Sequence, residues 1–451
     1  MKRSALIIAS LAAFLPPFMG ASINIALPTI GKLFEMDAIM LGWVATSYLL
    51  SSAMFLLPFG RAADIYGRKK VFTFGISLYM IGAALSAVAT NASMLIIFRV
   101  VQGIGSAGIF GTGVAILTSV YPPQERGKAL GINVASVYTG LSLGPFLGGL
   151  LTQYLGWRSI FYINIPFGLL ILFLIFYRLK GEWAEAKGEK IDLPGSVIYS
   201  LALVLIMYGL SRLPASAGVW LLVCGGAVAI VFFWWEVRSE SPVLNVNIFR
   251  NNAVFTFSNL AALIHYSATF AVGFLLSLYL QYSKGLSAKN AGLILIFQPV
   301  IMALFSPIAG RISDRIEPRV VASLGMTCSC IGLFLLAFIS AETSLAYIAA
   351  VLIFNGFGFA LFSSPNTNAV MSSVEKRFYG VAASMLGTMR LVGMMLSMGV
   401  AMMIFAIFIG KTQITPELYP MFLKSAKIAF VIFGVLCVFG IFSSLARGKV
   451  R

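Results

Sequence analysis

The chain has 451 residues, of which 59% are hydrophobic and only 10% are charged, and its mean hydropathy is +0.95. Water-soluble domains have about 45–50% apolar and about 25% charged residues, so this composition excludes a soluble or secreted protein. A membrane-spanning helix needs about 20 apolar residues, which leaves room for roughly 12 to 15 such helices. The sequence therefore predicts an all-α integral membrane protein with many spans.

The formal net charge is +17, from 32 basic and 15 acidic residues. In a soluble chain this excess would indicate a nucleic-acid partner. In a membrane protein, the net charge can be interpreted only after each basic residue has been assigned to one side of the bilayer. The cysteines lie inside apolar runs and have no second Cys pair or His beside them, so we expect neither disulfides nor a metal site, and no cofactor. They are Cys224, Cys328, Cys330 and Cys437.

Apolar runs separated by short polar loops define fourteen predicted spans. The first run continues to Pro28 without a good cleavage site, so we interpret it as an uncleaved helix rather than a signal peptide. The predicted spans are 5–28, 40–60, 71–90, 94–118, 129–151, 159–178, 195–212, 219–236, 253–279, 289–310, 320–340, 345–369, 380–409 and 425–446.

The basic residues are distributed unequally between the two sides of these spans. If the N-terminus is cytoplasmic, most of the 32 basic residues fall at cytoplasmic helix ends and loops. Short cytoplasmic loops of membrane proteins carry this excess of Lys and Arg. We therefore predict that both termini are cytoplasmic, and the short loops fit a prokaryotic plasma membrane. The bilayer then accounts for the charge, and no nucleic-acid partner is expected.

A weak internal repeat divides the chain. Residues Gly60–Asp64, after the second span, are similar to residues Gly310–Asp314, after the tenth. Repeats of this kind are typical of transporter halves. We predict a six-helix bundle at 1–178 and another at 253–451. Region 179–252 would hold a cytoplasmic linker, interpreted mainly as a solvated connector, and two inserted helices.

The run from Gly60 to Lys70 predicts a tight cytoplasmic turn. Its glycines allow close helix approach, and a carboxylate here can face the N-terminus of a neighbouring helix. We interpret the turn as a gate latch, with a partial copy in the second half. The alternative is a basic loop that only sets topology. The predicted latch residues are Gly60, Asp64, Gly67, Arg68, Asp314 and Arg315.

Arg99 lies inside the fourth span and is followed by Gln102 and Gly103. A charged side chain at depth in the bilayer costs about 2.5–3.5 kcal/mol on insertion scales. Arg99 should therefore face a wet cavity or a polar partner. The alternative is that it extends to the outer interface from near the start of its helix.

Small residues recur along the fifth span. Their spacing places one face of the helix against a neighbour, and a proline breaks the hydrogen-bond ladder where a bend or gate could form. Generic small-residue packing explains part of this pattern. The residues are Gly131, Gly140, Gly144, Pro145, Gly148 and Gly149.

These three elements resemble signature motifs of the major facilitator superfamily, and the third resembles the motif of its exporters. Residues Gly156–Gly168 are similar to the segment that enters the sixth helix in the fourteen-helix drug:proton antiporter branch. Residues Asn24–Pro28 resemble the end of the first-helix motif of that branch. The resemblance implies a major-facilitator-type fold, in which two bundles alternate about a central site and protons drive efflux.

The resemblance also implies roles for individual residues. Asp64 and Arg68 would form the interdomain latch, and Arg99 would take part in proton coupling. Gly144 and Pro145 would form the exporter bend. The first-helix motif departs from the family pattern, because Met19 stands where the branch usually has Asp. This departure disfavours direct ion pairing of a cationic drug in the membrane.

Arg390 lies deep in the thirteenth span, and His265 is the only histidine. A histidine has a reference pKa of about 6.5, so His265 is a second candidate for proton coupling, although a lone His on an apolar helix is more often structural. Because the fixed charges inside the spans are positive, we hypothesise a neutral, amphipathic or anionic substrate. The candidate cavity residues are Asn24, Tyr48, Gln102, Asn133, Tyr138, Asn259, Gln298, Asn355, Asn366 and Arg390.

The leading functional hypothesis is proton-coupled efflux of small lipophilic or amphipathic compounds by a chain that acts as a monomer. An uncoupled or proton-symporting metabolite carrier is the nearest alternative. A membrane enzyme or a non-transporting scaffold is the alternative from another class. An enzyme would need a nucleophile with its base or a metal cluster, and the sequence offers one His and no carboxylate cluster.

Overall fold

The computed structural model describes residues 2–244, 246, 249, 252–375 and 379–448. Fourteen helices within these ranges are long and apolar enough to cross a membrane, as the sequence predicts. We number them α1 to α14 in chain order. They are Lys2–Leu33, Ala38–Tyr66, Arg68–Ala87, Ala92–Val120, Pro123–Tyr154, Ser159–Arg178, Leu193–Arg212, Ser216–Arg238, Ala253–Ser283, Ala288–Ser313, Pro318–Ala337, Leu345–Ser372, Tyr379–Phe408 and Pro416–Ala446.

Several helices extend beyond the predicted apolar spans, because helical hydrogen bonding continues into the polar interface until a cap ends it. Six helices begin at side chains that accept a hydrogen bond from a backbone N–H of the first turn. These capping residues are Asp37, Asn91, Asp192, Asn252, Ser287 and Ser344. Hydropathy detects the bilayer-crossing part of a helix, whereas the cap sets its end.

Glycines allow α3 and α4 to pack at very short range. A methyl group at Gly75 would lie 2.8 Å from the Cα of Gly108, and one at Gly105 would lie 2.2 Å from the backbone nitrogen of Tyr79. Neither glycine can carry a larger side chain without moving the backbones apart. Such small-residue contacts replace the hydrophobic driving force that is absent between helices in lipid.

Several helices change geometry along their length, and α9 and α10 are interrupted at Phe270 and Ile296. In α6 the helix is interrupted at Ile163, between Ser159–Tyr162 and Asn164–Arg178. The last turn of α9, Tyr279–Ser283, is a π-helix. Single π-turns inside helices mark places where the hydrogen-bond ladder has been widened, and they are frequent at functional sites.

The chain forms two compact units. One contains Met1–Met19, Trp43–Gly140 and Arg158–Asn247, and the other contains Gly20–Gly42, Leu141–Trp157 and Ile248–Arg451. The division passes through α1, α2 and α5, so parts of these three helices belong to each unit. The predicted bundles at 1–178 and 253–451 stay a prediction.

Candidate gate and transport site

The Gly60–Lys70 loop holds an ion pair between neighbouring helix ends. Arg68 Nε and Nη2 donate to Asp64 Oδ1 at 3.0 and 2.8 Å. The guanidinium also donates to Ser119 Oγ and to Glu185 Oε1, at 2.5 and 2.8 Å. The side chain of Arg68 is only 7% exposed, whereas those of Asp64 and Glu185 are 35% and 68% exposed, so the guanidinium is shielded while its acidic partners reach water. The loop thus brings together the two predicted latch residues, while Gly60 has open space around its Cα.

The partial copy of this loop has a different environment. Asp314 is exposed at the end of α10 and accepts a hydrogen bond from Asn368 Nδ2 at 3.3 Å. Arg315 is exposed as well, and its backbone N–H donates to the carbonyl of Ile312 at 3.0 Å. The repeated sequence therefore places an acid and a base at the same kind of helix end, but with different partners.

Arg99 is 1% exposed and is held by groups from two helices. Its Nη1 donates to Gln102 Oε1 at 2.6 Å, and its Nε donates to the carbonyl of Val44 at 3.2 Å. The guanidinium carbon lies 4.2 Å from the ring centroid of Tyr48, in cation–π contact. Tyr48 in turn donates to Ser106 Oγ at 2.6 Å. The structure thus gives Arg99 the polar partners that its depth demands.

Gly131 and Gly140, the first two glycines of the α5 pattern, have different surroundings. Gly131 is exposed and has open space beside it. A methyl group at Gly140 would lie 2.5 Å from the carbonyl oxygen of Phe14, so only glycine fits there at this helix spacing. Gly140 therefore fixes the approach of α5 to α1.

The later glycines of the pattern pack against α1 and α10. Ser22 Oγ donates to the carbonyl of Gly144 at 3.0 Å, and a methyl group at Gly148 would lie 2.7 Å from Ser22 Cα. A methyl group at Gly149 would lie 2.6 Å from the carbonyl oxygen of Ala288 on α10. These glycines permit close packing on both sides of α5, and Pro145, which lies between them, lacks the N–H that would continue the hydrogen-bond ladder.

Two side chains near the end of α9 reach the part of α1 that follows Met19. Ser277 Oγ donates to the carbonyl of Asn24 at 2.6 Å, and Gln281 Nε2 donates to the carbonyl of Ile25 at 3.0 Å. We call these two contacts the α1–α9 closure. Beside them, α10 packs closely on α5, where a methyl group at Gly292 would lie 2.2 Å from the carbonyl oxygen of Pro145.

His265 lies on α9 and is fully buried in an aromatic cluster that includes side chains of α12. Its ring stacks on Phe362 with centroids 4.0 Å apart, and it meets Phe359 edge-on at 5.0 Å. Nε2 lies 3.3 Å from Ser329 Oγ, whereas Nδ1 has no hydrogen-bond partner among the described residues. This packing supports the structural interpretation of His265, and its part in proton coupling stays a hypothesis.

Arg390 on α13 is only half-buried. Its Nη2 donates to Thr367 Oγ1 at 2.6 Å, and the guanidinium carbon lies 5.6 Å from the ring centroid of Tyr266. Its Nε is buried and has no hydrogen-bond partner within the ranges that the structure describes. Arg390 therefore keeps donor capacity that its neighbours do not use.

The remaining predicted cavity residues serve mainly as helix contacts. Asn133 Nδ2 donates to the carbonyl of Ala9 at 3.0 Å, and Asn259 Nδ2 donates to the carbonyl of Phe255 one turn earlier. Asn355 packs against Gly332, where a methyl group would lie 2.3 Å from its Oδ1. Tyr138 and Gln298 are both half-buried, on α5 and α10.

Arg447 is a buried charge that sequence reasoning missed. Directly after α14, its Nη1 donates to Asn366 Oδ1 at 3.0 Å and to Ser258 Oγ at 3.3 Å. Burial lowers the pKa of Arg447 to about 10, so the guanidinium still carries its charge at neutral pH. In the sequence, Arg447 looks like part of a basic, solvated tail. Its burial becomes evident only from the neutral polar residues that pack around it.

Fourteen apolar helices and a set of buried polar groups within them define a multi-pass, all-helical membrane protein. A family model described as the Major Facilitator Superfamily matches residues 9–255 and 258–449. The chain therefore belongs to the Major Facilitator Superfamily and is a membrane transporter.

Characterised relatives cover most of the chain. It is 31% identical over 385 residues to the riboflavin transporter RibZ of Clostridioides difficile (strain 630), a match covering 85% of this chain and 84% of that protein. It is 31% identical over 362 residues to multidrug resistance protein 3 of Bacillus subtilis (strain 168), covering 78% and 70%. Its fold is similar to the partially occluded inward-open xylose transporter XylE from E. coli, with a TM-score of 0.66, 16% identity and coverage of 98% and 96%.

Proposed function

We propose that the chain is a secondary active exporter that couples the efflux of small lipophilic or amphipathic compounds to proton entry. The observation that carries this proposal is the close packing around Gly144, Pro145 and Gly148 of α5. A helix that contains a proline and is flanked by contacts that admit only glycine suits a gate that closes by backbone approach. The relative named as a multidrug resistance protein supports the same function.

The proposed substrates are neutral or anionic. Arg390 is only half-buried beside Tyr266, and a partly exposed guanidinium binds a carboxylate or a polarised oxygen far better than a cation. Met19 supplies no carboxylate where the related branch usually has Asp. Compounds with several positive charges are therefore expected to be poor substrates.

The proposed topology places both termini in the cytoplasm of a prokaryotic cell, with the chain in the plasma membrane as a monomer. The Gly60–Lys70 loop then lies on the cytoplasmic side, and the α1–α9 closure lies on the outer side. Asp64 and Arg68 act as the latch between states. Arg99 and His265 are the candidates for proton coupling, because each is a buried ionisable group within a span.

A second candidate function is transport of a metabolite without drug efflux. The relative named as a riboflavin transporter favours it, since that protein matches as much of the chain as the multidrug relative does. Riboflavin is planar, polar and uncharged, so it falls within the substrate class that Arg390 and Tyr266 favour. The two functions differ in substrate range rather than in site chemistry.

The test is a counterflow screen in proteoliposomes. Vesicles are loaded with one unlabelled probe, and uptake of the same labelled probe is measured for a neutral dye, an anionic dye, a dicationic dye and riboflavin. We expect counterflow of the neutral and anionic dyes and none of the dication, with Asp64→Asn as the inactive variant. Counterflow of riboflavin alone would support the metabolite carrier, and counterflow of the dication alone would contradict the proposed substrate class.

A further inference from the structure

The linker after α6 lies against the Gly60–Lys70 loop instead of extending freely into solvent. We call residues 179–189 the linker segment. The backbone N–H of Arg68 donates to the carbonyl of Trp183 at 2.8 Å, and the N–H of Ala186 donates to the carbonyl of Asp64 at 2.9 Å. Backbone bonds in both directions show that the two segments are paired over a stretch of chain and do not merely touch at a side chain.

Glu182 of the linker segment supplies the N-terminal cap of α3. Gly67, the residue before this helix, has a φ of 118° and makes no side-chain cap of its own. Glu182 Oε1 accepts the hydrogen bond from the N–H of Lys69 at 2.7 Å. A carboxylate at a helix N-terminus satisfies an orphan donor and is favoured by the helix dipole.

Gly67 makes this cap possible. A methyl group at Gly67 would lie 2.4 Å from the carboxylate carbon of Glu182, and its positive φ already favours glycine. The glycine in the predicted latch therefore leaves the space that the linker carboxylate fills. Close helix approach, which the sequence suggests for this glycine, is not the contact that the structure shows.

Glu185 completes the hydrogen bonding of Arg68. A guanidinium has five N–H donors. Arg68 directs two bonds to Asp64, one to Ser119 and one to Glu185. Because most of its donors are engaged, Arg68 cannot bind a new partner strongly without releasing one of these groups.

The linker segment also pairs with two other basic residues of the loop. Arg61 is paired with Glu189, and Lys69 Nζ donates to the carbonyl of Leu179 at 2.5 Å. Together with the bonds to Glu182 and Glu185, these contacts join the linker segment to the loop at several positions.

We propose that the linker segment is a working part of the gate, with Glu182 and Glu185 as positioning residues. Docked, it holds Asp64, Arg68 and the start of α3 in the arrangement seen here, with the α1–α9 closure formed. Undocking releases the latch residues for other partners during the transport cycle. This inference rests on the proposed transport function, since it assigns the linker segment a role in the same gate.

The test is hydrogen–deuterium exchange of the full chain in lipid, read at peptides that cover 60–75, 179–190 and 274–292. In the double variant Glu182→Gln/Glu185→Gln, we expect exchange in the first two peptides to rise about tenfold, because the cap and the charged bond are weakened. Exchange at 274–292 should rise about threefold as the α1–α9 closure opens more often. The turnover of a transported probe should fall about threefold with its KM unchanged.

The matched control is Glu240→Gln, which removes the same charge from an exposed position after α8 and should leave all three peptides unchanged. A second readout is ionic strength: about 1 M salt shortens the screening length to about 3 Å and should move the parent toward the double variant. Unchanged exchange at 60–75 and 179–190 would overturn the docking role. Raised exchange there with unchanged turnover and an unchanged 274–292 peptide would overturn the gate role.

The two proposals can fail separately. If the parent chain transports none of the probes, the proposed function fails, whereas the exchange of the linker peptides still reports docking. In that case, raised exchange at 274–292 in the double variant would still support coupling between the linker segment and the α1–α9 closure. Unchanged exchange at 274–292 would overturn the inference independently of the proposed function.

Discussion

Arg99 and Arg390 both lie well inside membrane-spanning helices, but their surroundings differ. Arg99 is 1% exposed, makes hydrogen bonds to Gln102 and to the Val44 carbonyl, and lies over the Tyr48 ring. Arg390 is half-buried, donates a hydrogen bond to Thr367, and keeps a buried Nε with no partner in the described chain.

The difference indicates how a buried charge is used. A charge enclosed by its own partners stabilises one arrangement of helices, and its removal leaves those partners unsatisfied. A charge that stays partly exposed can bind a ligand without first breaking internal bonds. We therefore expect the loss of Arg99 to affect folding and transport together, and the loss of Arg390 to affect transport selectively.

The largest expected effect is that of Arg99→Ala. It leaves Gln102 Oε1 and the Val44 carbonyl without their donor, and we expect a loss of about 2–4 kcal/mol of unfolding free energy. Transport should fall at least about 100-fold. Thermal unfolding in detergent and counterflow of the neutral dye are the measurements. Arg99→Lys, which keeps the charge without the planar fork, should recover only part of the stability.

A parent-like unfolding temperature and flux in Arg99→Ala would show that the enclosed network is dispensable. The distinction between the two arginines would then have no basis in folding.

Arg390→Ala should act on the substrate and not on the fold. A hydrogen bond to a charged group contributes about 1.5–3 kcal/mol, so counterflow of the anionic dye should fall about 10- to 100-fold. The neutral dye should change by less than about threefold, and the unfolding temperature should match the parent. Arg390→Lys is the matched control and should retain part of the anion flux. Equal losses for both dyes would contradict the proposed ligand role.

Replacing Tyr266 examines the ring beside Arg390. The cation–π contact contributes about 1 kcal/mol, so Tyr266→Leu should lower anionic counterflow about fivefold. Tyr266→Phe keeps the ring face and should stay within about twofold of the parent. A Phe variant as impaired as the Leu variant would mean that the hydroxyl, and not the ring, is what the site requires.

His265→Gln is expected to have the smallest effect. The imidazole is enclosed by Phe362 and Phe359, and it faces Ser329 rather than a charged partner in the part of the chain that the structure describes. We expect flux between about pH 6 and pH 8 to change less than about twofold. Loss of pH-driven flux with retained counterflow would assign proton coupling to His265.

The fold was largely predictable from the sequence, because apolar length determines spans directly. All fourteen helices follow from hydropathy, and Arg99 and Arg390 are visible as charges inside apolar runs. Helix ends were less predictable, since caps such as Asp37 lie outside the apolar signal. The π-turn at the end of α9 gives no simple composition signal at all.

Many candidate site residues could be identified from the sequence, but the contacts that they make could not. Nothing along the chain indicates that Glu182 caps a helix beginning more than a hundred residues earlier, because the pairing depends on tertiary structure. The same holds for Arg447, whose partners Asn366 and Ser258 come from two other helices. Sequence patterns identify residues that need partners, and only the packed structure identifies which partners they have.

The most direct test of the proposed export function is uptake driven by a pH gradient. Vesicles are prepared with the proposed cytoplasmic face outward and an acidic lumen, and the anionic dye is added outside. For one-to-one exchange with the membrane potential held at zero, a gradient of one pH unit should accumulate the dye about tenfold, with none in Asp64→Asn vesicles and none after a protonophore. Equilibration of the dye to equal concentrations, with the gradient intact, would contradict proton-coupled export.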